Sequence, residues 1–261
     1  MSRSAGFSRG KQQMNNVLFE VGGTGISIGV AAYASAAAVL LLMMTLWLTD
    51  RKKRTGQPIA SGQVINGIGY GLLPMLTVLR AFQEPDAGTG TVVTEPLPLV
   101  QWLSTEGRYM YCRIEIVALL ACFVLLTLWL IMRRKDFPDD GSLLLISICL
   151  WASIRLSTEN YRSVPQDLFR YTGCAAVLAI LVFWTVRRAI LLHSAGRAVI
   201  DMVTVGLCLA IYLLTAKGIL SVGSPIGDFA VIHGSVLLAL TLTLITGGDL
   251  RKLAAAPNQS A

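Results

Sequence analysis

The sequence predicts an all-α, polytopic membrane protein of about seven transmembrane helices, with its N-terminus outside and its C-terminus inside. Three observations carry that prediction. Of the 261 residues, 54% are hydrophobic and only 14% charged, with a mean hydropathy of +0.63, which excludes a soluble domain. The apolar runs are long and continuous rather than alternating, and of the two structures that can span lipid this selects helices over a barrel. The cations sit beside the apolar runs, so the net charge of +7 reads as topology and attraction to anionic lipid, with no nucleic-acid partner. The five cysteines, Cys112, Cys122, Cys149, Cys174 and Cys208, are scattered in or beside those runs without a CxxC, and read as small apolar packing residues. Two distant histidines, His193 and His233, do not make a metal site, and no phosphate-binding glycine loop or nucleophile elbow occurs, so no metal or cofactor is predicted.

Taken in order, residues 1–16 form a polar, basic segment, and Val17-Leu-Phe-Glu-Val21 with Gly22-Gly23 leads in along the interface. Helix one is predicted near residues 26–48, about 35 Å long. The run is too long for a signal-peptide core and lacks a small-residue cleavage site, so it reads as a retained span. Gly25 and Gly29 make a small-xxx-small pair suited to close packing. Asp50-Arg-Lys-Lys-Arg54 reads as a short cytoplasmic loop. Helix two covers residues 61–80, thinned by Gly67, Gly69 and Gly71 and kinked by Pro74. The connection 83–108 carries Glu84, Asp86, Glu95 and Glu106, reads as external, and has an apolar stretch around 97–103 suited to the interface. Helix three is predicted over 109–132, ending at Arg133-Arg-Lys135 inside; helix four over 142–159, with Pro165 closing the outer corner; and helix five over 171–186, before Arg187-Arg188 and Arg197. Helices six and seven are predicted over 199–220 and 229–245, with Arg251-Lys252 and a 253–261 tail following. Every strongly basic stretch then falls on one side.

Helix four ends in Arg155, Glu159 and Arg162. Their i, i+4, i+7 spacing places all three on one helical stripe. Charge at the edge of a bilayer costs several kcal/mol unless it is paired or reaches water. One reading is a helix end whose arginines snorkel to headgroups with the glutamate as their partner. The other takes in the rest of the outer end: Arg80 closes helix two, Arg108, Arg113 and Glu115 open helix three, and Lys217 lies near the end of helix six. Cations gathered where the topology rule disfavours them fit recognition of a lipid phosphate, which arginine grips bidentately. A purely structural set of ion pairs, such as Glu115 with Arg155, is the alternative.

The stretch from Asp140-Gly141 through Trp151 to Arg155-Leu-Ser-Thr-Glu159-Asn-Tyr-Arg162 resembles the late part of the prolipoprotein diacylglyceryl transferase family. There a glycine precedes an apolar helix ending in Arg-x-x-x-Glu-x-x-Arg, with an aromatic four positions before the first Arg; Trp151 stands where the family usually has Tyr. Tyr109-Met-Tyr-Cys-Arg-Ile-Glu115 looks like the family's Tyr-Glu helix start, and Val17-Leu-Phe-Glu-Val-Gly22 resembles its N-terminal segment. The resemblance spans 17–188 loosely and carries motifs only over 109–162. Helices six and seven, within 189–252, have no counterpart in it. Two family elements, His-Gly-Gly and Gly-Arg-x-Gly-Asn-Phe, are absent from the interval where they belong; His233-Gly234-Ser235 is a partial echo at the wrong end of the chain.

The resemblance implies an enzyme of the bacterial inner membrane that transfers the diacylglyceryl group of phosphatidylglycerol to a cysteine thiol of a prolipoprotein, whose signal peptide would be the second partner. Arg155 and Arg162 would hold the lipid phosphate and Glu159 would orient them, with Glu115, Trp151, Arg113 and Arg80 lining the site. The missing elements favour a second class, a non-enzymatic lipid-binding subunit or a scaffold in a membrane assembly.

Overall fold

The computed structural model describes residues 17–21, 24–56, 58–82, 104–105, 108–109, 111–132, 140–161, 167–192 and 195–254. Among these, seven α-helices follow one another: α1 Ile28–Thr55, α2 Ser61–Ala81, α3 Tyr111–Met132, α4 Ser142–Thr158, α5 Asp167–Leu192, α6 Ala195–Ala216 and α7 Pro225–Ala254. Six are long and apolar enough to cross a membrane; α4, with 17 residues, is the shorter one. The chain is an all-α, polytopic membrane-type bundle. Two small antiparallel ribbons accompany it. Val17–Val21 pairs with Thr24–Ser27 just ahead of α1, and Ser104–Thr105 pairs with Arg108–Tyr109 ahead of α3.

The helices run past the apolar stretches that announce them. α1 continues through Arg51–Arg54 to Thr55, where the predicted loop would have been, because a charged turn is a good helix former once it leaves lipid. Arg54 pairs back to Asp50 at 2.6 Å, and Gly56, at φ 63, supplies the left-handed cap that ends the helix. Gly25 lies in the ribbon rather than in α1, so the predicted Gly25–Gly29 helical pair does not exist; Gly29, Ala32 and Ala36 are the small residues α1 buries. α6 ends at Ala216, four residues earlier than predicted. There Gly218 turns at φ 70 and the Ile219 N–H donates to the Leu214 carbonyl, a glycine-based helix stop.

Direction alternates from helix to helix. Gly71 lies against Leu40 and Gly67 against Met44, so α2 runs antiparallel to α1. Arg80 at the end of α2 meets Glu115 at the start of α3, and Glu115 meets Arg155 at the end of α4. Arg170, early in α5, reaches the Ala216 carbonyl that ends α6. At the opposite end, Arg188 of α5 meets Asp201 of α6 and Asp249 of α7. All the helices therefore share two ends, one marked by Arg155 and the other by Arg188.

α4 is the hub, packed against α2, α3, α5 and α7. Its start is set by α2 in two ways. Asn66, fully buried, accepts the Leu143 N–H at 3.0 Å, satisfying one of the orphan donors of the first turn. Gly69 lets the α4 backbone come so close that a Cβ there would stand 2.4 Å from the Leu144 nitrogen. Gly141, at φ 84, occupies the position before the helix, with Ile65 lying where its side chain would be. Leu143, Cys149, Ala152 and Leu156 of α4 are fully buried, alongside Leu119, Leu181, Trp184 and Tyr212 from its neighbours. Leu125, Met132, Ile190 and Leu237, by contrast, are more than half exposed, which is the apolar perimeter a lipid solvent calls for. α6 and α7 belong to the same bundle: the Tyr212 hydroxyl donates to the Leu156 carbonyl at 2.8 Å, and Gly247 lies against the Trp184 ring.

Candidate functional site

Three helices bring charge together at the Arg155 end, and a fourth adds an aromatic ring. Glu115, one turn into α3, is fully buried, and its Oε2 receives both Arg80 Nε at 3.0 Å and Arg155 Nη1 at 2.9 Å. The other side of the Arg155 guanidinium faces Glu159, Nη2 to Oε2 at 3.6 Å. Its Cζ lies 4.7 Å from the centroid of the Phe169 ring on α5, a cation–π distance. Arg155 is 4% and Glu159 1% exposed, whereas Arg80 keeps 20% of its side chain accessible. The side chains of Glu115, Arg155 and Glu159 are thus enclosed by the bundle. Glu115 Oε1 is buried and has no hydrogen-bond partner among the described residues.

Four of the sequence-predicted site residues, Arg80, Glu115, Arg155 and Glu159, thus meet. Arg113 lies on the exposed side of α3. Trp151, one turn before Arg155, is half-buried and packs into the hydrophobic core. Arg162 lies outside the described residues, as does His193. His233 is occupied locally, stacked on Phe229 at 4.0 Å with Nδ1 2.9 Å from the Phe229 carbonyl.

Further polar contacts tie the turn after α4 to α5 and α6. Asn160, in the 3-10 turn Glu159–Tyr161, donates to the Leu156 carbonyl at 3.3 Å and accepts from Arg170 Nη2 at 2.8 Å. Arg170 also reaches the Ala216 carbonyl at 3.4 Å and Asp167 at 3.8 Å. Lys217 bonds the Tyr171 hydroxyl and pairs with Asp167 at 3.6 Å. That bond to Tyr171, helped by Asp167 and opposed by slight desolvation, holds the ammonium above its ordinary range. Sequence reasoning placed Lys217 at this end but missed Asn160, Arg170 and Tyr212. The available signal was the polar residues flanking Pro165, which read only as a corner.

The Arg188 end holds a charge set that the sequence did not reveal. Arg188, 7% exposed, donates to Asp201 and Asp249, each at 3.3 Å, and the Thr246 hydroxyl adds a 3.4 Å bond to the same Asp201 oxygen. The clue was there: carboxylates beside apolar runs, at an end otherwise rich in cations, need partners. Arg187 pairs with Asp140 at 3.3 Å, and Asp140 accepts the backbone N–H and hydroxyl of Ser142 at 3.0 and 2.5 Å.

The chain matches no family model, no curated protein and no solved structure. Its chemistry is therefore argued from its own side chains. Four described cysteines, Cys122, Cys149, Cys174 and Cys208, are free. Among the described residues no three His, Cys, Asp or Glu side chains gather as a metal-binding set. The Arg155 set can orient a guanidinium rigidly and stabilise a negative charge. Two arginines and two carboxylates leave it formally neutral, so attraction for an anion has to come from the cations around it.

Proposed function

We propose that the protein is a multi-pass bacterial inner-membrane protein, similar to the prolipoprotein diacylglyceryl transferases, that binds the phosphate of an anionic phospholipid such as phosphatidylglycerol at the Arg155 end. The observation that carries the reading is Arg155 itself: a buried arginine at the end of the central helix, fixed from three sides by Glu115, Glu159 and Phe169. Buried charge in a membrane bundle marks function by default. Fixing a guanidinium in advance removes the cost of ordering it around a phosphate. In this reading Arg155 and Arg162 hold the phosphate, Glu159 and Glu115 orient Arg155, and Arg80, the partly exposed member, with Arg113 adds positive potential at the approach. Thiol transfer would further require a group to take the thiol proton, usually histidine near neutral pH. The His-Gly-Gly element is absent and His233 is engaged with Phe229. Diacylglyceryl transfer to a lipobox peptide is accordingly expected to be slow or absent.

A second reading, a scaffold without lipid function, is favoured by the neutrality of the quartet, in which each charge already has an opposite partner. Binding of fluorescent phosphatidylglycerol to the purified protein in phosphatidylcholine nanodiscs separates the two. Arg162→Ala should weaken selective binding about tenfold, the loss of one charge-assisted phosphate contact, and Arg80→Gln should weaken it about fivefold, the loss of one cation at the approach. Unchanged selectivity in both variants would leave the quartet as a structural lock.

A further inference from the structure

The turn that joins α6 to α7, at the Arg155 end, has its apolar groups outward and its polar groups inward. From Gly218 to Gly227 it carries no charged residue. Ile219, Val222 and Ile226 are more than half exposed, and Leu220 is 42% exposed. The polar side chains serve the turn's own backbone instead. The Asp228 carboxylate accepts the Val222 N–H at 2.7 Å and the Ser221 hydroxyl at 2.9 Å. The Ser221 oxygen accepts the Gly223 N–H at 3.2 Å, and the Ser224 oxygen accepts the Gly227 N–H at 3.0 Å. On the α6 side, the Gly218 N–H donates to the Thr215 carbonyl at 3.0 Å, and those of Ile219 and Leu220 donate to the Leu214 carbonyl at 2.9 and 3.2 Å. Water would serve these donors without help; an apolar surrounding requires that they be met within the chain. Depth agrees with this. α7 rises about 32 Å between Asp228 and Asp249, close to the roughly 30 Å of a bilayer's hydrocarbon. Asp249 is tied to Arg188 at the far end, so the turn stands where hydrocarbon gives way to headgroups. Lys217 and Tyr171, bonded to each other at the base of the turn, are residue types suited to that level.

We propose that this turn is an interfacial anchor, with Ile219, Leu220, Val222 and Ile226 inserted among the glycerol groups and first acyl carbons of the leaflet at the Arg155 end. Three features choose lipid over a protein partner. The apolar surface continues without a break into the exposed Leu214 and Ile211 of α6, part of the perimeter that faces lipid. Its N–H donors are largely spent inside the turn, whereas a specific protein interface draws about one hydrogen bond per 100–200 Å². It has no charge with which to orient a protein partner, and a lipid surface needs none to accept aliphatic side chains. The anchor fastens the outer ends of α6 and α7 to the bilayer and does not depend on any ligand of the Arg155 set.

The test places a nitroxide on single cysteines in the full chain, its native cysteines replaced, with one copy in each phosphatidylcholine nanodisc. Four variants are compared: Ile219→Cys and Ile226→Cys in the turn, Leu237→Cys on the lipid-facing side of α7, and Lys53→Cys in the cationic last turn of α1. All four side chains are exposed, so the substitutions leave the packing intact, and equal melting temperatures check that. Collision of each label with oxygen, which concentrates in lipid, and with a water-soluble nickel chelate gives its depth. Nickel accessibility at Ile219→Cys and Ile226→Cys should be severalfold below that at Lys53→Cys, with both labels shallower than Leu237→Cys. Nickel accessibility at either turn position equal to that of Lys53→Cys would overturn the proposal. Protection that arises only in discs holding two copies, or only when another protein is added, would overturn it as well, by making the surface a protein contact.

Discussion

At the scale of single residues, the central fact is a carboxylate shared by two guanidiniums inside a bundle. Breaking a buried ion pair by removing one member costs more than the pair contributes, because the survivor keeps its charge and loses its counter-charge. Glu115→Ala strands Arg80 and Arg155 together, with Glu159 at 3.6 Å as the only remaining described carboxylate beside Arg155. The expected loss is about 3–5 kcal/mol, read as a large drop in the unfolding temperature in detergent. Glu115→Gln, which retains an acceptor, should lose less, and equal stability of the two variants would contradict the ion-pair account. Asp140, just outside α4, supports a prediction about pH. Partial burial raises its pKa, but the bonds from Ser142 and the nearby Arg187 outweigh that and hold it below its ordinary 3.8. A carboxyl depressed on folding stabilises the protein above the unfolded value, and that contribution fades as pH falls through the folded value. Melting curves of wild type and Asp140→Asn should therefore differ at neutral pH and converge under acid; a constant gap at all pH values would rule the linkage out.

At the scale of elements, α4 is held by what α2 supplies. Asn66→Ala would leave the buried Leu143 N–H without its acceptor, a cost of about 1–3 kcal/mol. Gly69→Ala would push a methyl against the Leu144 backbone, and because backbone must then move, the cost should be at least the 1–3 kcal/mol typical of overpacking. Either variant with wild-type thermal stability would mean that α4 is positioned from elsewhere. The elements also mark where sequence reading succeeds. All seven helices were legible, since an apolar run of spanning length has few alternatives. Their ends were not, because hydropathy marks the apolar slab while the helix obeys caps: α1 runs on to Gly56, and α7 starts at Pro225, where proline is suited to the first helical position. Arg155 with Glu159 could be read from i, i+4 spacing, and Glu115 from its depth on the next helix. Arg80 as the second donor, Phe169 under the guanidinium and the Arg188 set depend on which helices touch, and no local pattern encodes that.

At the scale of the whole molecule, the two ends differ in how charge is used. At the Arg155 end the charged side chains are close to balanced and mostly tied to one another: Arg80, Arg155 and Arg170 are matched by Glu115, Glu159 and Asp167. At the Arg188 end, Asp140, Asp201 and Asp249 pair with Arg187 and Arg188 and Asp50 pairs with Arg54, and the sequence places more Lys and Arg than Asp and Glu there, in 51–54, 133–135, 197 and 251–252. Orientation follows the surplus of Lys and Arg near span ends rather than the total. The Arg188 end is therefore expected in the cytoplasm. Seven alternating helices then put the start of α1 outside and the end of α7 inside. The prediction can be checked at two exposed positions, Ser224, between α6 and α7, and Lys53, in the last turn of α1. With the native cysteines replaced, Ser224→Cys should react with a membrane-impermeant maleimide added to intact cells, and Lys53→Cys should react only after the membrane is opened. The reverse pattern would invert the molecule and move the Arg155 set to the inner leaflet. Labelling of both positions from outside would break the alternation itself, and α4, the 17-residue helix, would then be the one that fails to cross.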